Sequence, residues 1–375
     1  MTQLTTGTFE PNGQAGGQLR SREANYRVLG GDVVVSPNVC RALRLRGGET
    51  IVATCRSGAG RRQACVAKVD EIETIDGRSI DEYLETKPFE DLTAIDPQEP
   101  IRFETDGGPL SMRIVDLMTP IGFGQRGLLV APPRTGKTVL LQQMAAGVAA
   151  NHPDAYVMVL LIDERPEEVT EMRRTVHGEV VASSNDHDIA SHVRIARLMI
   201  EKAKRLAECG RDVVILLDSL TRLGRAFNAS IRGGGRIMSG GLDIRALTEP
   251  KSVFGAARNV ENGGSLTIIA SCLIETGSRM DDVIFNEFKG TGNMEIMLSR
   301  ELANRRTWPA IDLNRSGTRK EERLLTPEAL EVSHRIRRTL LDKDPARPME
   351  ILLEAMQSHP NNAEFIIRFA ETPFR

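Results

Sequence analysis

Aromatic residues are scarce: one Trp, three Tyr and 11 Phe make up 4% of the 375 residues. Extensive capture of nucleic acid by stacking bases on exposed rings is not what this composition offers. Cysteine is sparse as well. Cys40, Cys55, Cys65, Cys209 and Cys272 contain no Cys-x-x-Cys pair, which argues against a disulfide framework or a zinc ribbon and for reduced thiols in a reducing cytoplasm. His187 and His192 do not share a helix face at their spacing, so no zinc site is supported. No apolar run reaches the length of a membrane span. The start, Met-Thr-Gln-Leu-Thr-Thr, has no basic residue followed by an apolar stretch, so no secretory signal is expected. A single-sign charge excess is missing too, with a net charge of −2 and 27% charged residues. Any contact with nucleic acid must therefore rest on a local patch or a pore.

What remains is a cytoplasmic globular chain, 40% hydrophobic, long enough for two domains. Residues 1–17 are rich in Gly, Thr and other polar residues and read as a flexible tail. Residues 18–75 have the character of short strands and turns, with strand candidates at 32–36, 49–54 and 63–69 and a turn at Gly58-Ala-Gly60. That pattern fits a small all-β barrel of the oligonucleotide-binding or cold-shock type. Residues 76–110, with Pro88, Pro97, Pro100 and Pro109, read as a connector. From residue 111 to 375 buried strands alternate with amphipathic helices. The strands at 127–132, 156–163, 212–218 and 265–273 are near-continuous apolar runs, as in a parallel sheet covered on both faces. Helical spacing runs through 192–208, and the chain from Pro327 on reads as mainly helical. The fold class is α/β, a nucleotide-binding domain behind a small barrel.

Residues 131–138 read Ala-Pro-Pro-Arg-Thr-Gly-Lys-Thr directly after an apolar run. This is a phosphate-binding loop in which Ala131 replaces the usual first Gly. Backbone N–H groups of Pro132-Pro133-Arg134-Thr135-Gly136 and the following helix start would face phosphates wherever the residue is not Pro. Lys137 suits the β/γ oxygens, Thr138 suits Mg²⁺, and Gly136 permits close backbone approach. The substrate class is thus a nucleoside triphosphate. The strand Val-Val-Ile-Leu-Leu ends at Asp218, placed for a second Mg²⁺ contact, or alternatively for capping the next helix. The strand before it ends in Asp163-Glu164-Arg165-Pro166-Glu167-Glu168. Either Glu164 or Asp163 could polarise an attacking water, and the sequence does not rank them; an acidic helix start is the plainer reading.

Longer motifs carry a resemblance. These are Leu-Leu-Ile-Asp-Glu-Arg-Pro-Glu-Glu-Val-Thr-Glu-Met at 160–172, Phe-Gly-Ala-Ala-Arg-Asn at 254–259, Glu-Phe-Lys-Gly-Thr-Gly-Asn-Met at 287–294 and Asn-Arg-Ser-Gly-Thr-Arg-Lys at 314–320. Together they resemble the bacterial Rho family of transcription termination factors, from about Val33 to the late C-terminus, and Ala131-Pro-Pro is that family's form of the loop. The resemblance implies a RecA-like ATPase domain in a ring-shaped homohexamer, with ATP and Mg²⁺ at subunit interfaces and single-stranded RNA in the central pore. It also implies displacement of transcripts from RNA polymerase. It assigns nucleotide contact to loop residues 132–138, Val139, Arg165, Arg306 and Trp308, catalysis to Lys137, Glu164 and Asp218, and an arginine finger to Arg319. On residues alone the single Trp would belong to a core. The Gly-rich loop at 233–241, with Arg236, Ile237, Ser239 and Gly240, and the loop 276–279, with Arg279, resemble the RNA-gripping loops; without the resemblance they would equally be solvated linkers. Arg236 and Arg279 stand where Lys is common, and offer a planar fork instead of a point charge.

The chain departs from the family at the barrel. Gly-Gly-Gln-Leu-Arg at 16–20 stands where two Phe are usual, and Arg61-Arg-Gln-Ala-Cys65 where an aromatic pair is usual. The chain is also expected to lack the helical segment that commonly precedes the barrel in that family. Arg56, Arg61 and Arg62 leave positive charge for RNA. The leading expectation is an ATP-dependent RNA translocase that terminates transcription. The alternatives are a divergent member with altered RNA loading and a non-catalytic RNA-binding ring assembled by ATP; Glu164, Asp218 and Arg319 argue against the latter. Rotary ATP synthase subunits share a similar nucleotide domain but not the 314–320 motif or the loops. RNA loading at the barrel is expected to be weak, poorly base-selective and salt-sensitive, because stacking is worth ~1–3 kcal/mol per base and phosphate contacts are screened. Titrations of poly(C) and poly(U) at rising salt check this; strong cytosine preference retained at high salt would contradict it.

Overall fold

The structure, a computed structural model, describes residues 2–13, 16–56, 64–231, 239–340 and 346–371. It divides into two compact units: Met1–Thr93 with Val193–Arg211 and Glu261–Gly264, and Ala94–His192 with Asp212–Val260 and Ser265–Arg375.

In the first unit six strands run in the order Thr2–Pro11, Gly17–Arg20, Val33–Val35, Cys65–Val66, Thr50–Arg56, Ile72–Ile75. Thr2–Pro11 also pairs antiparallel with Thr50–Arg56, from Thr2 opposite Arg56 to Thr8 opposite Thr50. That second pairing curls the sheet into the expected small barrel around Phe9, Leu19, Val35, Ile51, Val66 and Ile75. The flexible tail expected at 1–17 is therefore corrected: residues 2–11 are a strand that closes the barrel. Gly7 and Gly17 mark close packing instead of looseness. A Cβ on Gly7 would lie 2.7 Å from Leu19 Cβ, and one on Gly17 2.2 Å from Phe9 Cε2, where only Gly fits. The three sequence-predicted strands are present as Val33–Val35, Thr50–Arg56 and the shorter Cys65–Val66.

The expected connector is also divided. Residues up to Thr93, including the helix Ile80–Glu85 capped by Ser79, belong to the first unit. That unit further takes in most of the helix Ile189–Glu208, a long-range return that no local pattern announces. Glu208 accepts from Arg46 Nη1 and Nη2 at 2.8 and 2.6 Å and from the Phe89 N–H at 2.6 Å. It also pairs with Arg205 at 2.8 Å. Arg205 and Glu208 side chains are 1% and 2% exposed. All four aromatics of the unit are inside: Phe9 1%, Tyr26 1%, Tyr83 6% and Phe89 0% exposed.

The second unit holds a nine-stranded sheet. Its main path is Glu179–Ser183, Tyr156–Ile162, Asp212–Asp218, Ser265–Leu273, Arg126–Ala131, Met294–Met297, Gly317–Thr318. The first six are parallel, and Gly317–Thr318 is antiparallel. The buried runs Val157–Ile162 and Val213–Asp218 have no exposed position, as the apolar sequence required. Crossover helices such as Lys137–Asn151 and Leu220–Ser230 make the parallel order possible. The C-terminal part is helical, at Pro327–Thr339, Ala346–Gln357 and Asn362–Glu371. Arg113, 4% exposed, donates to the carbonyls of Met356 and His359 at 3.1 and 2.7 Å and fastens those helices to the domain. Among the described residues no helix is long and apolar enough to cross a membrane.

Removing the Glu208 carboxylate leaves buried Arg205 and half-buried Arg46 without their main counter-charge. Glu208→Ala is expected to destabilise the chain by about 3–5 kcal/mol, the usual cost of stranding a buried charge. Denaturant unfolding checks this, and a loss below ~1 kcal/mol would show that the pair contributes nothing beyond a surface ion pair.

Candidate nucleotide site and nucleic-acid loops

Four parallel strands end on one edge of the sheet, and the candidate site is built from those ends. Ala131 is the last residue of its strand, fully buried, and its carbonyl accepts from the Ile274 N–H at 3.2 Å. The position where the usual motif has Gly is thus still strand, with room for a methyl group. The turn proper follows. Arg134 and Gly136 have φ of +66° and +86°, and Thr135 donates its hydroxyl proton to the Pro132 carbonyl at 2.7 Å. A Cβ on Gly136 would lie 3.1 Å from Trp308 Cζ3, so conformation and space both require glycine there. Gly136 caps the helix Lys137–Asn151, which starts with Lys137, Thr138 and the exposed Val139. Pro132 is buried, whereas Pro133 and Arg134 are exposed.

Lys137 lies between two carboxylates. Its Nζ is hydrogen-bonded to Asp218 Oδ1 and 3.6 Å from Glu164 Oε1. Asp218 and Glu164 side chains are 1% and 2% exposed. Ser271 donates to Asp218 Oδ1 at 2.7 Å. Arg222 Nη2 sits 3.3 Å from Glu164 Oε2, and its Nη1 donates to the Asp163 carbonyl. Glu164 Oε1 is buried without a hydrogen bond. Burial, then the neighbouring Asp218 charge, push the Glu164 carboxyl up to about 7 against the pull of Lys137 and Arg222. The two acids that the sequence left unranked therefore differ: Glu164 faces Lys137 from a buried position, whereas the Asp163 side chain is 41% exposed.

Trp308 is not in a core. It is 43% exposed and borders a cavity of about 410 Å³ beside Gly136, with Leu110, Val139, Leu140, Leu298 and Pro309. Arg306, exposed at φ +63°, precedes it in the same turn. Arg165, also exposed, is the N-cap of the helix Pro166–Thr175 that follows Glu164. Arg319 lies elsewhere. Its N–H donates to the Asn293 carbonyl at 2.9 Å, and the Asn293 N–H to the Arg126 carbonyl at 3.0 Å. Arg126 opens the strand that ends in the phosphate loop, so Arg319 is one strand length, roughly 16 Å, from the loop of its own chain. Arg337 holds the preceding turn through the carbonyls of Leu313 and Ser316, both at 2.9 Å.

Of the candidate RNA residues, Arg61, Arg62, Arg236 and Ile237 lie outside the described residues. Arg56 closes its strand beside Cys65. Ser239 and Gly240 belong to a short turn in which Gly240 has φ +79°. A Cβ on Gly240 would meet the Arg279 carbonyl carbon at 2.8 Å and the Met280 nitrogen at 2.6 Å. The two loops singled out separately in the sequence are thus in backbone contact. Arg279 is exposed at the start of the helix Arg279–Lys289. Asp281, fully buried, anchors that start by accepting from Arg225 and Thr276. Sequence reasoning missed Arg222, Ser271, Arg225 and Asp281. Arg222 and Arg225 follow Asp218 at spacings that place them on the next helix, which was the available signal.

A phosphate loop whose lysine is held by strand-end carboxylates defines a P-loop ATPase, and residues 111–318 match the ATP synthase alpha/beta family, nucleotide-binding domain. The same fold appears in a prototypical ATPase of a bacterial type III secretion system, with TM-score 0.63, 20% identity, and coverage of 82% of this chain and 94% of that one. It appears also in the assembled ATPase EscN of enteropathogenic E. coli bound to its central stalk, with TM-score 0.57, 22% identity, and coverage of 84% and 68%. The chain belongs to the transcription termination factor Rho family. It is 49% identical to the Rho factor of Rhodopirellula baltica over 96% of this chain and 71% of that protein. Against the Rho factor of Streptosporangium roseum it is 50% identical, over 91% and 86%. The Cereibacter sphaeroides Rho factor gives 50% identity over 93% and 83%.

The raised Glu164 carboxyl has a stability consequence. Between the ordinary value of 4.5 and about 7 the folded chain keeps a proton that the unfolded chain has lost. Stability from this group therefore falls as pH rises through that window, and the full cost is present above it. Glu164→Gln is expected to raise Tm by ~2 °C at pH 8, with the gain vanishing by pH 5. Thermal melts at the two pH values check this; an equal shift at both would refute it.

Proposed function

We propose that this chain is an ATP-hydrolysing RNA translocase that works as a homohexameric ring in the cytoplasm and ends transcription by displacing nascent RNA from RNA polymerase. The observation that carries the reading is Lys137 held between Glu164 and Asp218 at the phosphate loop, in a chain of the Rho family. Lys137 exchanges its carboxylate partner for the β/γ phosphate oxygens of ATP, which a flexible point charge does readily. Glu164 receives the proton of the attacking water, and a carboxyl near 7 suits that task at neutral pH. Arg222 keeps Glu164 turned toward the site. Arg165, Arg306, Val139 and Trp308 complete the nucleotide contacts.

The residues fit Mg²⁺. Among the described residues no group of three His, Cys, Asp or Glu side chains is placed for a metal. The oxygen donors at hand are the Thr138 hydroxyl and the Asp218 carboxylate, and such a sparse oxygen set suits an ion that keeps waters and substrate phosphates. Thr138 and Asp218 would hold it, where it neutralises charge on the triphosphate.

Arg319 reaches the ATP of a neighbouring subunit, since its backbone is bonded through Asn293 to the start of the strand Arg126–Ala131, at the opposite end from the phosphate loop. Arg236 and Arg279 grip RNA phosphates, with Ile237, Ser239 and Gly240 shaping the loop. Arg56, Arg61 and Arg62 supply charge for loading on a barrel whose aromatics are all internal. ATPase assays with and without poly(C) and poly(U) test the reading. RNA stimulation is expected, and ATP binding with zero turnover would instead indicate a regulatory ring. Arg319→Ala is expected to lower turnover by about 10³–10⁵-fold while ATP binding persists. Rings mixed from Arg319→Ala and Lys137→Ala subunits should regain activity where an intact finger meets an intact loop. No recovery would place Arg319 in its own subunit's site.

A further inference from the structure

The strand Glu179–Ser183 is at the edge of the nine-stranded sheet, and among the described residues another strand pairs with it on one side only. Its end nevertheless supports the turn that carries Glu164. The Ser183 carbonyl accepts from the Asp163 N–H at 2.7 Å, and the Asn185 N–H donates to the Glu164 carbonyl at 3.0 Å. Asp163 has φ +56°, a conformation that a residue other than glycine keeps only where its surroundings impose it. From 184 to 191 the chain runs over the surface, with Asn185, Asp186 and Asp188 exposed. The residues on either side of that loop are buried: Ser183 is 2% and His192 5% exposed. Their side chains meet, Ser183 Oγ lying 2.7 Å from His192 Nδ1. Whichever of the two supplies the proton, the bond ties the ends of the loop together. Burial holds the His192 imidazole below its ordinary value of 6.5, so the ring is neutral where Glu164 titrates.

We propose that Ser183 and His192 are a positioning pair for ATP hydrolysis: by closing the loop 184–191 they fix the backbone from which Glu164 is aimed at the attacking water. The inference rests on the function proposed above and adds what holds its general base in place. A base must stay within hydrogen-bond reach of the proton it takes, and a misplacement of about 1 Å costs on the order of 10²-fold in rate. Arg222 steers the Glu164 side chain, but it also donates to the Asp163 carbonyl and so depends on the same backbone. Without the Ser183–His192 bond the end of the edge strand frays, Asp163 relaxes from its left-handed conformation, and Glu164 turns toward water. Two effects follow together. Turnover falls, and the Glu164 carboxyl loses the burial that raises it. The charges that face it, Asp218, Lys137, Arg222 and Glu168, are unaltered by changes at 183 and 192.

The test is RNA-stimulated ATP hydrolysis by the full chain, followed from pH 5 to pH 9. It compares the wild type with Ser183→Ala, His192→Leu, the double variant and His192→Asn. The wild type is expected to show an acid limb near pH 7, where Glu164 loses its proton. Ser183→Ala and His192→Leu should each lower kcat by about 10²-fold with little change in the KM for ATP, because nucleotide binding does not use the pair. Their acid limb should move down from pH 7 toward the ordinary carboxyl value of 4.5. The double variant should lose no more than either single one, as residues acting as a unit do. His192→Asn places a side-chain amide where Nδ1 stands, able to donate or accept, and should restore most of the rate. An unchanged kcat in either single variant, an acid limb that stays at the wild-type pH, or losses that multiply in the double variant would overturn the assignment. Should His192→Leu fail to fold, Ser183→Ala, which removes a single oxygen, decides by the same readouts. A wild type without ATP turnover would overturn the proposed function itself, and this inference with it.

Discussion

Lys137 is held between two carboxylates that arrive on different strands, and the rest of the second unit is arranged to bring those three charges together. Burying charges costs several kcal/mol each unless they are paired and hydrogen-bonded. The cost is tolerable here because the charges answer one another: Asp218 is met by Lys137 and Ser271, and Glu164 by Lys137 and Arg222. Such compensation depends on register. Leu161 lies opposite Asp218, and Leu217 opposite Ala270, just before Ser271. A slip of one residue would turn each acid to the other face of the sheet. The apolar runs before each acid hold that register, since every residue from Val157 to Ile162 and from Val213 to Leu217 is buried.

The arrangement leaves one valence open. Glu164 Oε1 is buried without a hydrogen bond, and its carboxyl holds a proton far above the ordinary range. A stable core would replace such a group. Its presence beside a phosphate loop is the kind of local violation that marks a site of chemistry, where stability is given up for function.

The parts legible in the sequence were those written in consecutive residues. The loop 131–138, the apolar strands and their acidic ends each occupy one short window, so period and motif were enough. The unread parts depend on distant partners. Gly7 and Gly17 looked like loose chain because glycine has two meanings, freedom and close approach, and only the partner strand decides between them. The helix Ile189–Glu208 showed its period but not that most of it returns to the first unit, since nothing in a helical repeat names what it packs on. Glu164 and Asp163 could not be ranked because both follow the same strand; the φ of +56° at Asp163 separates them by turning the chain there. Arg319 could be named, but its distance from the loop of its own chain follows from Asn293 bonding to the first residue of the strand.

The helix Leu220–Ser230 links the two halves of the proposed mechanism. It starts beside Asp218, and Arg222 on it contacts Glu164. One turn later Arg225 is bound to Asp281, which fixes the start of the helix carrying Arg279. Gly240 packs its backbone against the same start. The contacts of Arg222 with Glu164 and of Arg225 with Asp281 thus form a contiguous path from the phosphate site to the start of the helix carrying Arg279. Coupling of that kind needs a contiguous and stiff connection, and a helix with Leu220, Thr221, Leu223, Gly224, Ala226 and Phe227 all buried meets the condition.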